Sequence, residues 1–311
     1  MPDYGRDLTF GYFLIPNAAD PLLDTAREIE ARGLDWIGIQ DHPYQRRFVD
    51  TWALLGAIAA VTNRVGLFPD VANLPLRPPA VMGKAAASLD VLSGGRFELA
   101  LGAGGFWDAI EAYGGPRRAP RDAIDALEEA IQVIRLIWSG ERNLRFTGTH
   151  YRLAGAHSGP VPVHSIGIWL GVYGPGALRL AGRLADGWVP SLRGEVTLLG
   201  EGAARLDDAA VRAGRDPAET AGWLTSTARS PMAPGSACCV VRSTNGSTSS
   251  PTWQSDTALT RSCSGERVRT SFLASPRKWC LRSVLKWRRN AAGPRPSRTP
   301  RRLLGVRIVC R

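Results

Sequence analysis

Short apolar runs alternate with segments of helical periodicity through the first two thirds of the chain, the signature of repeated strand and helix units around a parallel sheet. Residues 9–14 predict a first strand. In residues 21–32, Leu22, Ala26 and Ile29 share one helical face, and Gly33 ends the helix. Residues 35–40 (DWIGIQ) predict a second strand, 51–61 an Ala/Leu-rich helix and 64–68 a third strand. Residues 79–92 predict a helix with proline at its start, and 96–101 a fourth strand.

Residues 120–138 carry the clearest helical pattern, with Ile124, Leu127, Ile131, Ile134 and Trp138 on one stripe. Residues 144–153 (LRFTGTHYRL) alternate as a small hairpin with Thr147-Gly148 at its turn. A fifth strand at 166–172, a helix at 175–184, a sixth strand at 187–190 and a helix at 198–213 ended by Gly214 complete the regular pattern. This gives an α/β class of about six βα units. Periodicity alone suits a closed barrel and an open doubly wound sheet equally. The glycine fingerprint of dinucleotide-binding sheets is missing, because the first strand leads into FLIPNAAD.

Charge divides the chain. Residues 1–228 hold 22 Lys+Arg and 26 Asp+Glu, a net of −4, whereas residues 229–311 hold 17 and 2, a net of +15. The overall +11 therefore describes the last quarter and not the body. All five cysteines (Cys238, Cys239, Cys263, Cys280, Cys310) lie in that last quarter, with no metal-ligand spacing. With no secretory start and no membrane-length apolar run, a cytoplasmic protein is expected, with no membrane partner.

Functional residues of a barrel sit in the loops that follow its strands. After the second strand come Asp41, His42, Pro43 and Tyr44. An acid and a histidine at a barrel mouth can serve a heterocycle or an oxyanion, and Asp41 can equally well be a loop cap for backbone N–H groups. After the fourth strand, Gly102, Ala103, Gly104 and Gly105 admit a flat ring or a phosphate, and Phe106 and Trp107 can wall a pocket. After the fifth, Tyr173, Gly174, Pro175, Gly176 and Ala177 open a helix whose first N–H groups suit a phosphate, or form an ordinary Gly-Pro turn. The four histidines do not cluster, and no metal is expected; His150, His157 and His164 fall in the hairpin and its exit.

The segments DWIGIQDHP, AVTNRVGLFPDVANLPLRPPAV, ASLDVLSGGRFELALGAGGFWDAI and IGIWLGVYGPGALRLAGRLADGW resemble successive signatures of the luciferase-like monooxygenase superfamily, over about residues 8–219. The resemblance implies a (β/α)8 TIM-type barrel, incomplete here, and a flavin (FMN) or F420 cofactor acting on a small organic substrate. It implies that Asp41, His42 and the Gly102, Ala103, Gly104 loop border the ring, with His42 and Asp41 as the catalytic pair. It also implies that Gly174, Pro175, Gly176 and Ala177, with Tyr173, hold the cofactor phosphate. A non-prolyl cis peptide that buttresses the ring is implied at Asp70, Val71 and Ala72. Asp41 before His42 resembles the F420-using branch, in which an acid follows the fourth-strand glycines; Asp108 and Glu111 are the nearest. The family form is expected to be a homodimer.

From about residue 220 the text turns to Ser, Arg, Pro, Trp and Cys, and periodicity stops. Residues 1–219 are thus expected as the barrel domain and 220–311 as an irregular basic tail. Such a tail can be disordered, can bind nucleic acid without specificity, or can arise from a shifted reading frame. Synonymous codons for residues 246–265 permit VDELTDLAVRHGLDTFVLW in another frame, those around 266–283 permit GAGQDELLGFAEEVVPAVR, and those for 220–230 permit RGVAHVNGTI. These are the missing seventh and eighth units in order. A shift near codons 217–222 is expected, which makes a nonfunctional product the alternative to an active oxidoreductase.

Overall fold

The computed structural model describes residues 9–192, 197–219, 221–222 and 225–226. The chain starts with β1 (Gly11–Leu14), α1 (Leu22–Ala31), β2 (Trp36–Ile39), α2 (Thr51–Val61) and β3 (Gly66–Pro69). A two-residue β4 (Ala72–Asn73) and a 3-10 turn (Leu74–Leu76) precede α3 (Pro79–Ser93) and β5 (Leu99–Gly102). Then come α4 (Trp107–Ala112), α5 (Pro120–Trp138), the strands β6 (Leu144–Thr147) and β7 (Arg152–Ala156), β8 (Ile168–Leu170) and α6 (Pro175–Leu184). The last elements are β9 (Gly187–Trp188), β10 (Ser191–Leu192), α7 (Thr197–Arg212), a 3-10 turn (Pro217–Glu219), β11 (Ala221–Gly222) and β12 (Thr225–Ser226).

Every pairing in the main wall is parallel. β1, β2 and β3 run side by side, and a bridge from Leu67 to Phe97 carries the wall toward β5. β5 lies between β4 and β8, and β8 continues to β9 and β11. Helices follow the strands on the outside, as right-handed crossovers require. This is the wall of a TIM-type barrel. Residues beyond Glu219 take part in it: β11 pairs with β9 and β12 with β10, which adds a seventh strand position to the six expected. Backbone pairing is indifferent to side-chain identity, so a strand can form here where the side-chain pattern no longer reads as one.

The two faces of the wall hold different cores. Ile37, Ile39, Leu67, Leu99, Leu101, Ile168 and Leu170 pack outward on the helices. Trp36, Phe68, Ala100, Trp169 and Val189 occupy the opposite parity and fill the interior, with Val71 against them. The three large rings meet edge-on, with centroids 6.2 Å apart for Trp36 and Phe68, 5.7 Å for Trp36 and Trp169, and 5.2 Å for Phe68 and Trp169. Glycines make room for them. A Cβ at Gly66 would collide with the edge of the Trp36 indole, and one at Gly38 would stand 2.7 Å from Phe68 Cζ.

At the N-terminal end of the barrel, Glu98 accepts the Gly167 N–H at 2.5 Å. Fully buried Asp90 accepts N–H groups from Val163 and His164 and meets His164 Nδ1 at 2.6 Å. His164 thus pins the loop that leaves the hairpin. The hairpin itself turns over residues 148–151 rather than at Thr147-Gly148, because Glu129 of α5 accepts the N–H groups of Thr149, His150 and Tyr151 and holds a wider turn. Among the described residues, no helix is long and apolar enough to cross a membrane.

Candidate active site

Three segments meet at the C-terminal end of the wall. Beyond β2, the Gln40 N–H donates to Leu14 O at 3.2 Å, and the Thr51 hydroxyl donates to Gln40 O at 2.7 Å. That fixes the start of the Asp41 loop. Asp41 is 5% exposed, and its Oδ2 accepts the Asn73 N–H at 2.9 Å. The carboxylate thereby ties the β2 loop to β4, the contact a loop cap makes. Burial pushes the Asp41 carboxyl above the ordinary range, opposed by the Asn73 N–H and by the Arg77 charge.

His42 sits in an aromatic box. Tyr44 stacks on it at 5.3 Å between centroids, and Phe106 meets it edge-on at 5.4 Å. Gln40 Nε2 lies 3.0 Å from His42 Nδ1. Burial, with the Asp41 charge adding to it, pushes the Tyr44 phenol up to about 12, so its hydroxyl stays protonated at neutral pH.

Beyond β3, the Asp70 N–H donates to Ile39 O at 2.6 Å, and the Asp70–Val71 peptide is cis, at the position the resemblance implies. Val71 turns across the barrel mouth. A Cβ at Gly102 would stand 2.8 Å from Val71 Cγ2, and one at Gly171 would stand 2.9 Å from Val71 Cγ1. Ala72 pairs with Leu101 and Asn73 with Gly102, which places β4 along the rim. Asn73 Oδ1 is buried and has no hydrogen-bond partner among the described residues.

The third segment follows β5. Gly102 ends that strand, and Ala103 and Gly104 lead on from it. Gly104 has φ +106, and a Cβ there would meet Trp107 at 2.8 Å and Pro75 at 2.9 Å, so the loop needs glycine on both counts. Phe106 and Trp107 then open α4, a short helix that the sequence pattern does not reveal. Asp108 and Glu111 are both paired with Arg117 on the outer surface, and Asp108 is 98% exposed. Neither acid is turned into the mouth.

Tyr173, Gly174, Pro175, Gly176 and Ala177 lie after β8, next to β5 in the wall. The Tyr173 hydroxyl accepts the Ser191 N–H at 2.5 Å. Gly174 precedes α6 with no side-chain cap, Pro175 has no N–H to satisfy, and Ala177 is buried. These residues stand at the same end of the barrel, but the hydrogen bonds described do not join them to the Asp41 loop. Gln40 and Asn73 are the two site residues that the sequence reading did not single out. The signal available was a polar side chain at the end of an apolar strand.

A sequence model of the luciferase-like monooxygenases matches residues 8–230. The chain belongs to that family. Two F420-dependent glucose-6-phosphate dehydrogenases are similar to this luciferase-like chain. That of Kineococcus radiotolerans is 35% identical over 60% of this chain and 57% of its own length. That of Nakamurella multipartita is 33% identical over 69% of this chain and 63% of its own. The chain thus spans roughly three fifths of these relatives' length.

Solved structures agree on the fold. An F420-dependent secondary alcohol dehydrogenase, in complex with an F420-acetone adduct, superposes with TM-score 0.64 at 24% identity, covering 70% of this chain and 68% of its own. The oxygenating constituent of 3,6-diketocamphane monooxygenase from Pseudomonas putida, in complex with FMN, gives 0.57 at 22% identity, covering 70% and 66%.

Proposed function

We propose that the intact protein is an oxidoreductase that binds F420 or FMN at the C-terminal mouth of the barrel. It either transfers a hydride to or from a small organic substrate or activates oxygen toward one. One observation carries this reading: Val71, following the Asp70–Val71 peptide, lies across the side-chain-free faces of Gly102 and Gly171. That is a flat apolar floor, and beside it lies the buried Asn73 Oδ1, without a hydrogen-bond partner among the described residues. The residues fit a planar ring whose edge carries an N–H. When bound, the cofactor supplies the two-electron chemistry. Val71 and the glycines support the ring, while Asp41 keeps β4 in place. His42, steadied by Tyr44 and Phe106, faces the substrate side, and the first N–H groups of α6, at Gly176 and Ala177, suit a phosphate. The names of the dehydrogenases from Kineococcus and Nakamurella favour F420.

A shifted frame near codons 217–222 belongs to the same proposal, supported by the decoded seventh and eighth units. It makes residues 220–311 an aberrant tail rather than a domain, and the high pI a by-product of the shift. It also makes a nonfunctional 311-residue product the alternative to an active oxidoreductase. A cytoplasmic location and a homodimeric intact form follow the family.

F420 and FMN are to be titrated separately into the 311-residue chain and into a chain with the frame restored. Fluorescence quenching should show one cofactor binding the restored chain with one-to-one stoichiometry and the printed chain more weakly. Failure of both cofactors to bind the restored chain would refute the site. Genomic DNA tests the frame: stop codons in the alternative frame before the equivalent of residue 283 would refute the shift.

A further inference from the structure

His42 has two ring nitrogens, and what it can do depends on which one carries the proton. Nδ1 lies 3.0 Å from Gln40 Nε2. An amide nitrogen is a donor only, so Nδ1 opposite it must accept, which leaves the neutral ring's proton on Nε2. Gln40 is well placed to enforce this. It continues β2 with the inward parity of Trp36 and Gly38, and its backbone is held on both sides by Leu14 and Thr51. The ring is also prevented from tilting, with Tyr44 stacked 21° from parallel and Phe106 72° across its edge. Asp41, the adjacent acid, has its Oδ2 on the Asn73 N–H.

We propose that Gln40 is a positioning residue that holds His42 as the neutral tautomer protonated on Nε2. This rests on the reading that His42 borders the redox site. In that state Nε2 has no lone pair with which to remove a proton. The ring acts toward a substrate oxygen as a hydrogen-bond donor, stabilising negative charge as it develops there. Protonation of the ring would set a second N–H against the Gln40 amide unless that amide turned over.

Nitrogen-15 spectra of histidine-labelled full-length chain read the tautomer directly, and magic-angle spinning allows this on soluble or sedimented protein alike. His42→Gln identifies the signal by its loss. Near pH 8 the unsubstituted chain should show His42 protonated at Nε2, with a hydrogen-bonded Nδ1. Gln40→Glu replaces the donor with an acceptor of the same length and should move a proton onto Nδ1. Gln40→Leu should shift the Nδ1 resonance toward that of an unbonded ring nitrogen. A chain with the proton on Nδ1, or Nδ1 signals unchanged by both substitutions, would overturn the proposal. If either variant fails to fold, the unsubstituted chain and the other variant still decide. None of these readings requires a cofactor, so failure here is separate from failure of the cofactor titration.

Discussion

Single carboxylates hold several of the chain's turns, and this makes acid stability a property of individual residues. Glu30 accepts N–H groups from Asn63, Arg64 and Val65, and Glu129 does the same for the hairpin turn. Desolvation is the largest single influence and raises both carboxyls, but the three backbone donors on each, with the Arg96 charge near Glu30 and the His150 charge near Glu129, together outweigh it and hold both below the ordinary 4.5. A depressed acid contributes stability above its unfolded value and loses it as pH falls through the folded one. The melting temperature should therefore drop as pH falls below about 4.5, and Glu30→Gln and Glu129→Gln should each flatten that acid limb while lowering stability at pH 7. Equal slopes for wild type and both variants would remove this role. The sequence does not reveal such contacts, because the acid and its loop lie 20 or more residues apart. Gln40 and Asn73 escaped notice for a related reason. Gln40 matters through the His42 ring beside it, and Asn73 through an Oδ1 with no hydrogen-bond partner among the described residues, whereas Asp41, His42 and the Gly102 loop stood out by residue type and position.

Elements were legible where one face is apolar and the ends are chemically marked. The helices Thr51–Val61, Pro120–Trp138 and Pro175–Leu184 coincide with their sequence-based bounds, two of them fixed by proline at the first position. Strands came out shorter than expected, although single bonds such as Gln40 N–H to Leu14 O and Asp70 N–H to Ile39 O carry the pairing past their ends. β4 and α4 were missed because two and six residues carry too little periodicity to register. The strands' glycines also carry meaning that periodicity cannot show. Gly66 opposes Trp36 in the β2 and β3 register, and its missing Cβ admits the indole. Gly66→Ala should therefore destabilise the barrel by about 1–3 kcal/mol in denaturant unfolding, the cost of overpacking a dense interior. An unchanged midpoint would mean that the ring cluster adjusts freely.

At the scale of the molecule, a barrel works as a frame that brings distant loops to one end. The wall pairs from β1 through β11, and its interior is filled by Trp36, Phe68 and Trp169, so any ligand is confined to the mouth. The class and the order of the units were legible in the sequence. The seventh strand position was not, because its pairing rests on backbone groups within text whose side chains no longer alternate. Amide hydrogen exchange on the frame-restored chain, with and without F420 or FMN, tests the placement of the cofactor most directly. Protection is expected to concentrate in residues 40–44, 70–73, 102–107 and 173–177. Tight binding of either cofactor with protection elsewhere, and none in these four segments, would contradict the account.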